Sequence, residues 1–176
     1  MLPNNCTVQP QERTSVIKPY CLSHGTLEVY SLKQSRKFYE EFLGLEVVRH
    51  GKPAMVLRLG MRFHVVCVEV GDQIHPVSLL NHWGVDVATR SEVDQAHQKA
   101  IEHQEKYNIR QVLKPQEMHG VYSFYIEDLD HNWWEIQHYQ NGFQHDDFFD
   151  FGDRFSSDEE GDSSNLEELK VNTQTK

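Results

Sequence analysis

Two eight-residue stretches of this chain repeat one pattern, and this internal repeat constrains the fold more than any other feature. Residues 22–29 read LSHGTLEV and residues 80–87 read LNHWGVDV, so that His24 and His82 occupy matching positions 58 residues apart. Each stretch has the alternating apolar pattern of a half-buried β-strand. The repeat therefore predicts two copies of one supersecondary unit, joined in one domain.

A helical pattern follows each histidine strand. Ser31 opens a helix within residues 31–45, and Ser91 opens a second helix within residues 91–107, each with apolar side chains at helical spacing. Three strand-like segments follow each helix, at residues 45–50, 54–60 and 62–70 in the first half and at residues 110–115, 121–128 and 132–139 in the second. We predict an α+β fold made of two βαβββ modules.

Strand alternation places particular polar side chains on the face away from the helices. His24 lies opposite Leu27 on its strand, and Glu135 lies opposite Trp134. If the two sheets form an open cup, two histidines and one glutamate converge on it. Two imidazoles and one carboxylate leave three open positions on a metal, which suits Fe(II) that must bind both a substrate and O₂.

The stretches SHGTLEV, SLKQSRKFYEEFLGLEVV, NHWGVDV and FYIEDLDHNWWEI resemble the vicinal oxygen chelate superfamily. This group includes glyoxalase I, methylmalonyl-CoA epimerase, the fosfomycin and bleomycin resistance proteins and the type I extradiol dioxygenases. The resemblance covers about residues 20–140 and implies paired βαβββ modules that form a cup around a divalent metal. Its ligands would be His24, His82 and Glu135. The closing motif has His131 where the superfamily usually has glycine.

The stretch LRLGMRFHVVCV resembles the extradiol dioxygenases, which have two adjacent histidines there. In this chain the first of the pair is Phe63 and the second is His64. The resemblance implies that His64 is either the base that takes the substrate hydroxyl proton or a fourth metal ligand. It also places Tyr125 near the metal, where it would bind a substrate oxygen, and makes His119 a further catalytic candidate.

We therefore expect an Fe(II)-dependent dioxygenase of extradiol type that acts on a small catechol-like aromatic with O₂. The first alternative is a glyoxalase- or epimerase-type lyase or isomerase with Mn, Co, Ni or Zn, in which the first module supplies a fourth ligand. The second alternative is a non-enzymatic protein that binds a small molecule, as resistance proteins do. A homodimer is one expected assembly.

Negative charge is concentrated near the C-terminal end. The chain has a net charge of −10, and residues 146–176 contain ten acidic and three basic residues. The rest is nearly neutral, which argues against nucleic acid as a partner. We predict an extension over residues 1–19, the domain over 20–140 with modules at about 20–76 and 77–140, and an acidic, disordered tail over 141–176.

The tail prediction has two open alternatives, because five phenylalanines lie in residues 143–155 and could instead cover the cup or bind a partner. The chain has three cysteines without a CxxC pair, no apolar run typical of a signal peptide and no membrane-length segment. We therefore expect a cytoplasmic protein that contacts no membrane.

Overall fold

The computed structural model describes residues 15–17, 19, 21–118 and 120–154, and it contains both predicted modules. In the first module, helix α1 continues directly into a π-helical turn over Phe38–Phe42. Its elements are β1 (His24–Val29), α1 (Leu32–Lys37), β2 (Glu46–Arg49), β3 (Ala54–Arg58) and β4 (His64–Glu69). A 3₁₀ turn over Gly71–Gln73 follows β4.

The second module repeats this order, with the predicted strand at 110–115 replaced by two short strands. Its elements are β5 (His82–Asp86), α2 (Arg90–Glu102), α3 (Gln104–Tyr107), β6 (Gln111–Val112), β7 (Gln116–Met118), β8 (Val121–Glu127) and β9 (Trp133–Tyr139). A last helix, α4 (Gln144–Phe151), follows. The α+β fold class and the two modules are therefore confirmed.

Each module forms its own sheet. The first sheet has the order β1-β4-β3-β2, and the second has the order β5-β9-β8-β6 with β7 paired to β8. In both sheets the first strand of the module lies parallel to its last strand. This shared topology places the two repeated histidines on equivalent edge strands, β1 and β5.

One continuous hydrophobic core joins the helix-facing sides of both sheets. It contains apolar side chains from strands and helices of both modules, among them Leu27, Val29, Phe38, Tyr39, Met55, Leu57, Cys67, Val93, Phe124, Ile126, Trp134 and Ile136. Helices of the two modules also meet directly, since the rings of Phe42 and Tyr107 lie 5.4 Å apart. The other face of each sheet therefore points away from this core, as the alternation predicted.

The helix starts differ from the sequence prediction. Helix α2 begins at Arg90, not at Ser91, because Thr89 forms a full capping box with Glu92: each side chain bonds the other residue's backbone N–H. Ser31 precedes α1, but its side chain forms no capping hydrogen bond. Its carbonyl accepts instead from the backbone N–H of Ser35 at 3.0 Å.

The turn between β8 and β9 connects the two modules through buried carboxylates. Asp128 accepts hydrogen bonds from the Tyr39 hydroxyl and the Trp134 indole N–H, both at 3.0 Å. Asp130 accepts from the backbone N–H of Tyr30 at 2.7 Å and from the Ser35 hydroxyl at 2.6 Å. These bonds hold the start of β9 against β1 and α1 of the first module.

Burial of these carboxyl groups shifts their titration. It raises the pKa of Asp128 to about 7 and that of Asp130 to about 6, and the hydrogen bonds that both groups accept oppose the shift. In the same turn His131 has a φ of 63°, the left-handed conformation that glycine adopts most easily. The motif that the chain resembles usually has glycine at this point, which fits this conformation.

Helix α4 lies inside the segment predicted to be a disordered tail. None of its residues is buried, and Phe148 is its one aromatic side chain that lines a pocket beside the second sheet, so the bounds of the domain and the disorder of the tail stay a prediction. Residues 155–176 lie outside the described part of the chain. Within the described part, no helix is long and apolar enough to cross a membrane.

Candidate metal centre

His82 and Glu135 converge on the face of the second sheet that points away from the core. Nε2 of His82 lies 3.3 Å from Oε2 of Glu135. Nδ1 of His82 donates a hydrogen bond to the Leu79 carbonyl at 2.8 Å, since a carbonyl oxygen can only accept. This bond directs Nε2 toward the carboxylate, which is how an outer partner orients a metal-binding imidazole.

The two side chains shift each other's titration. The hydrogen bond to Glu135 raises the pKa of His82, although burial opposes the shift. Burial is the largest single effect on Glu135 and acts upward, yet hydrogen bonding from His82, Ser123 and Tyr125 holds its pKa below the ordinary value. An imidazole and a carboxylate that share a hydrogen bond are both metal-binding groups, and a divalent cation can take the place of the proton between them.

Tyr125 and Ser123 stand beside this pair on β8. Tyr125 pairs with Glu135 across the two strands, and its ring meets that of His82 edge-on at 5.1 Å between centroids. Burial raises the pKa of Tyr125, so its hydroxyl keeps its proton. Ser123 is fully buried on the same face; its hydroxyl has no hydrogen bond of ordinary geometry but lies close enough to lower the pKa of Glu135.

Ser123 is a site residue that the sequence analysis missed. The signal was available, because Ser123 precedes Tyr125 by two positions on a predicted strand and must therefore share its face.

His24 and His64 form a second pair, on the first sheet. They are directly opposed in the parallel pairing of β1 with β4. Their rings stack with centroids 5.4 Å apart and planes 15° from parallel. Nδ1 of His24 forms a 2.8 Å hydrogen bond with the Ser23 hydroxyl. His64 therefore lies beside the candidate ligand His24, on a face of β4 that it shares with Val66 and Val68.

The registers of the two sheets can be compared position by position. In the second sheet, Glu135 lies opposite Gly84, two residues after His82. In the first sheet, Val66 lies opposite Thr26, two residues after His24. The place in the first module that corresponds to Glu135 is therefore held by a valine, which cannot bind a metal.

A pocket of about 320 Å³ lies over His82 and Glu135. Its polar lining comes from the two candidate ligands and from Tyr125, Gln137 and Gln144. Its apolar lining comes from Leu79, Leu80, Met118, Val121 and Phe148. A mainly apolar cavity with a few convergent polar groups is the usual form of a small-molecule site.

The sequence pattern of the Glyoxalase/Bleomycin resistance protein/Dioxygenase superfamily matches residues 22–136, which include all four of these histidine and glutamate positions. The chain belongs to this superfamily. The superfamily contains enzymes, and its members typically use divalent metals. No curated protein is similar enough to the chain to count as a relative.

Several solved structures share this fold. The fosfomycin resistance protein FosX from Listeria monocytogenes is similar with a TM-score of 0.55 and 19% identity, over 70% of this chain and 97% of that one. A possible glyoxalase from Bacillus cereus is similar with a TM-score of 0.53 and 23% identity, over 66% of this chain and 96% of that one. Lactoylglutathione lyase from Agrobacterium tumefaciens is similar with a TM-score of 0.50 and 21% identity, over 68% of this chain and 94% of that one. At these identities the likeness shows the fold alone.

The three predicted ligands are divided between the two sheets. His82 and Glu135 are together, whereas His24 lies with His64 on the first sheet. Among the described residues, no group of three or more His, Cys, Asp or Glu side chains is arranged to hold a metal ion. The predicted catalytic residue His119 lies outside the described residues, so its role stays a prediction.

Proposed function

We propose that this protein is an Fe(II)-dependent dioxygenase of extradiol type that acts on a small catechol-like aromatic. The observation that carries the proposal is Val66, at the position in the first module that corresponds to Glu135. A lyase or isomerase of this superfamily would need a fourth ligand from that strand. With three protein ligands, three metal positions stay open, two for adjacent substrate oxygens and one for O₂.

We further propose that a second copy of the chain completes the metal site. One core joins the helix-facing sides of the two sheets. The face that carries His24 and the face that carries His82 and Glu135 both lie on the opposite side of their sheet, so each points away from the other module. The face that carries His24 also presents apolar surface, including Val48, which is 62% exposed. In a two-fold homodimer, that face would cover the second sheet of the partner and bring His24 to the partner's His82 and Glu135.

The pocket favours an aromatic ring with a single negative charge over a substrate with several. Its walls are mainly apolar, and its titratable lining groups are His82, Tyr125 and Glu135. Bound Fe(II) and the carboxylate of Glu135 would together carry one net positive charge, which a catecholate monoanion would neutralise, whereas the walls offer no cation for the further charges of a phosphonate or a polycarboxylate. A catechol brings apolar ring surface to those walls and two adjacent oxygens to the ligand pair.

The chain's own side chains have separable roles in this proposal. Bound Fe(II) would supply Lewis-acid activation and one-electron chemistry with O₂. His64, beside His24, would accept a substrate hydroxyl proton. Tyr125, whose hydroxyl stays protonated, would donate a hydrogen bond to a substrate oxygen. The Leu79 carbonyl would keep His82 in the tautomer that binds metal.

A test of the function combines metal content with oxygen uptake. Protein purified without air should retain iron and consume O₂ with members of a catechol panel. Glu135→Ala should lose most of the metal while circular dichroism stays unchanged; Gln137→Ala, two residues further on the same face, is the matched control. Full metal retention by Glu135→Ala would refute the ligand assignment, and absence of oxygen uptake by iron-loaded wild type would refute the dioxygenase.

A mixing experiment tests the shared site. His24→Ala and Glu135→Ala should each be inactive alone. After mixing and exchange of subunits, about a quarter of the wild-type sites should return, because about half of the dimers are mixed and each has one intact site. No recovery in a preparation with proven subunit exchange would mean that the site is built within one chain or not at all.

A metal-dependent lyase or isomerase is the second candidate, and the stacking of His64 on His24 favours it. Two imidazoles this close could both bind the metal. The protein would then hold Ni, Zn, Mn or Co and would keep it in air. Metal titration of His64→Ala separates the two functions. If His64 is the base, metal affinity stays near the wild-type value while turnover falls by roughly 10²–10⁴; if it is a ligand, metal affinity itself falls.

A further inference from the structure

Helix α4 forms one wall of the pocket over the candidate metal ligands. Gln144 and Phe148 line this pocket together with His82 and Glu135. The helix is anchored to the sheet by a hydrogen bond from the Tyr139 hydroxyl to the Asp147 carboxylate. Tyr139 is the last residue of β9, whereas His82 pairs with Trp133 at the first residue of β9. The anchor of α4 is thus at the end of β9 opposite the end that pairs with His82.

Helix α4 is short and has no buried residue. It has eight residues, its N-cap residue Phe143 makes no capping hydrogen bond through its side chain, and none of its residues is buried. Helices this short are marginal in water unless tertiary contacts stabilise them. An element with few buried contacts opens at a low free-energy cost, so α4 can move away from the pocket without unfolding of the sheet.

The aromatic side chains of α4 divide into two groups. Phe148 lines the pocket and is nevertheless 53% exposed, so that a large part of its ring has no apolar neighbour in the described structure. Phe149 does not line the pocket, is 68% exposed, and stacks on His145 of its own helix at 4.7 Å between centroids. Only Phe148 is therefore placed to contact a ligand held over His82 and Glu135.

We propose that α4 is a lid that closes on the ligand, and that Phe148 is a specificity-determining residue which packs against the aromatic ring of the substrate. The inference rests on the proposed function, because it takes the ligand to be a small aromatic with its oxygens directed at His82 and Glu135. A bound ring would cover apolar surface of Phe148 that is now exposed and would supply α4 with the buried contact that it lacks. Ligand binding and closure of α4 would then stabilise each other.

The test measures ligand binding in the absence of turnover. Full-length protein loaded with Zn²⁺, which is redox-inert, is titrated with catechol and 4-methylcatechol by calorimetry. Phe148→Ala should weaken binding about three- to tenfold, the usual value of one aromatic pair, while Zn²⁺ affinity stays at the wild-type value. Phe149→Ala is the matched control and should bind both catechols as wild type does. Hydrogen exchange of the amides in Gln144–Phe151 should slow when catechol is bound.

The outcomes distinguish this inference from the proposed function. If the wild type binds catechol but shows no oxygen uptake with Fe(II), the proposed dioxygenase activity is refuted, whereas the proposal that α4 is a lid still stands. Unchanged or tighter catechol binding by Phe148→Ala overturns the lid, since α4 would then be irrelevant to the ligand or would obstruct it. Unchanged amide exchange in α4 overturns it equally. Wild type that binds neither catechol overturns both.

Discussion

Substitution of Gly25 by alanine should destabilise the protein, even though alanine is normally the better residue in a strand. Gly25 lies in β1, and its backbone faces the ring of Trp83 in β5. A Cβ atom at Gly25 would be 2.1 Å from Cη2 of Trp83 and 2.8 Å from Cζ2. Both distances are far below van der Waals contact, so the ring must move. The ring also lies 6.0 Å from that of Phe63, and both side chains pack against the core.

The expected magnitude follows from two opposing effects. Alanine in place of a strand glycine raises the free energy of unfolding by roughly 0.5–1 kcal/mol, because alanine loses less conformational entropy on folding. Overpacking against a ring that cannot retreat freely costs roughly 1–3 kcal/mol. We therefore expect a net loss of about 1–2 kcal/mol in the free energy of unfolding. In a Trp83→Leu background the shorter side chain does not reach Gly25, and the same substitution should be neutral or stabilising by up to about 1 kcal/mol.

Urea unfolding of the four proteins in this double-mutant cycle measures the coupling, which should be about 2 kcal/mol. Gly84→Ala in β5 is the matched control, because a Cβ atom there has no neighbour within 4 Å. The reasoning fails if Gly25→Ala is as harmless as Gly84→Ala, or if its cost is the same with Leu at position 83. Either result would mean that β1 and β5 are not in contact as described.

Three further predictions concern stability and reactivity. Burial raises the pKa of Asp128 from 3.8 to about 7, so the folded state holds this proton more tightly than the unfolded state does. The free energy of unfolding should therefore fall as the pH rises from about 4 to about 7. Urea melts at several pH values should show a smaller fall for Asp128→Asn. Thr89→Ala should cost about 1 kcal/mol in thermal melts and Ser31→Ala close to nothing, because only Thr89 caps its helix. Cys67 is buried, which raises the pKa of its thiol, whereas Cys21 is exposed. A thiol reagent should therefore label Cys21 in the native protein and Cys67 only after unfolding, as peptide mass spectrometry can establish. Equal labelling of both cysteines in the native protein would contradict this.

The sequence alone determined the modules and the face on which each candidate residue lies. The repeat around His24 and His82 predicted two equivalent units, and the period-two alternation predicted that Glu135 lies opposite Trp134. Both inferences are local, because backbone geometry alone fixes which side of a strand a residue takes. The roles of His64 and Tyr125 stay predictions; the pairing registers add that His64 lies opposite His24 and Tyr125 opposite Glu135.

Only the tertiary structure decided which of these residues meet. Nothing in the local pattern states that one core joins the helix-facing sides of the two sheets, and this arrangement separates His24 from His82 and Glu135. Likewise, the identification of Val66 as the counterpart of Glu135 needed the pairing registers, and the contact between α4 and the pocket needed the path of the chain after β9. These features depend on contacts between residues far apart in sequence, whose energies are summed over the whole core and leave no periodic signal along the chain.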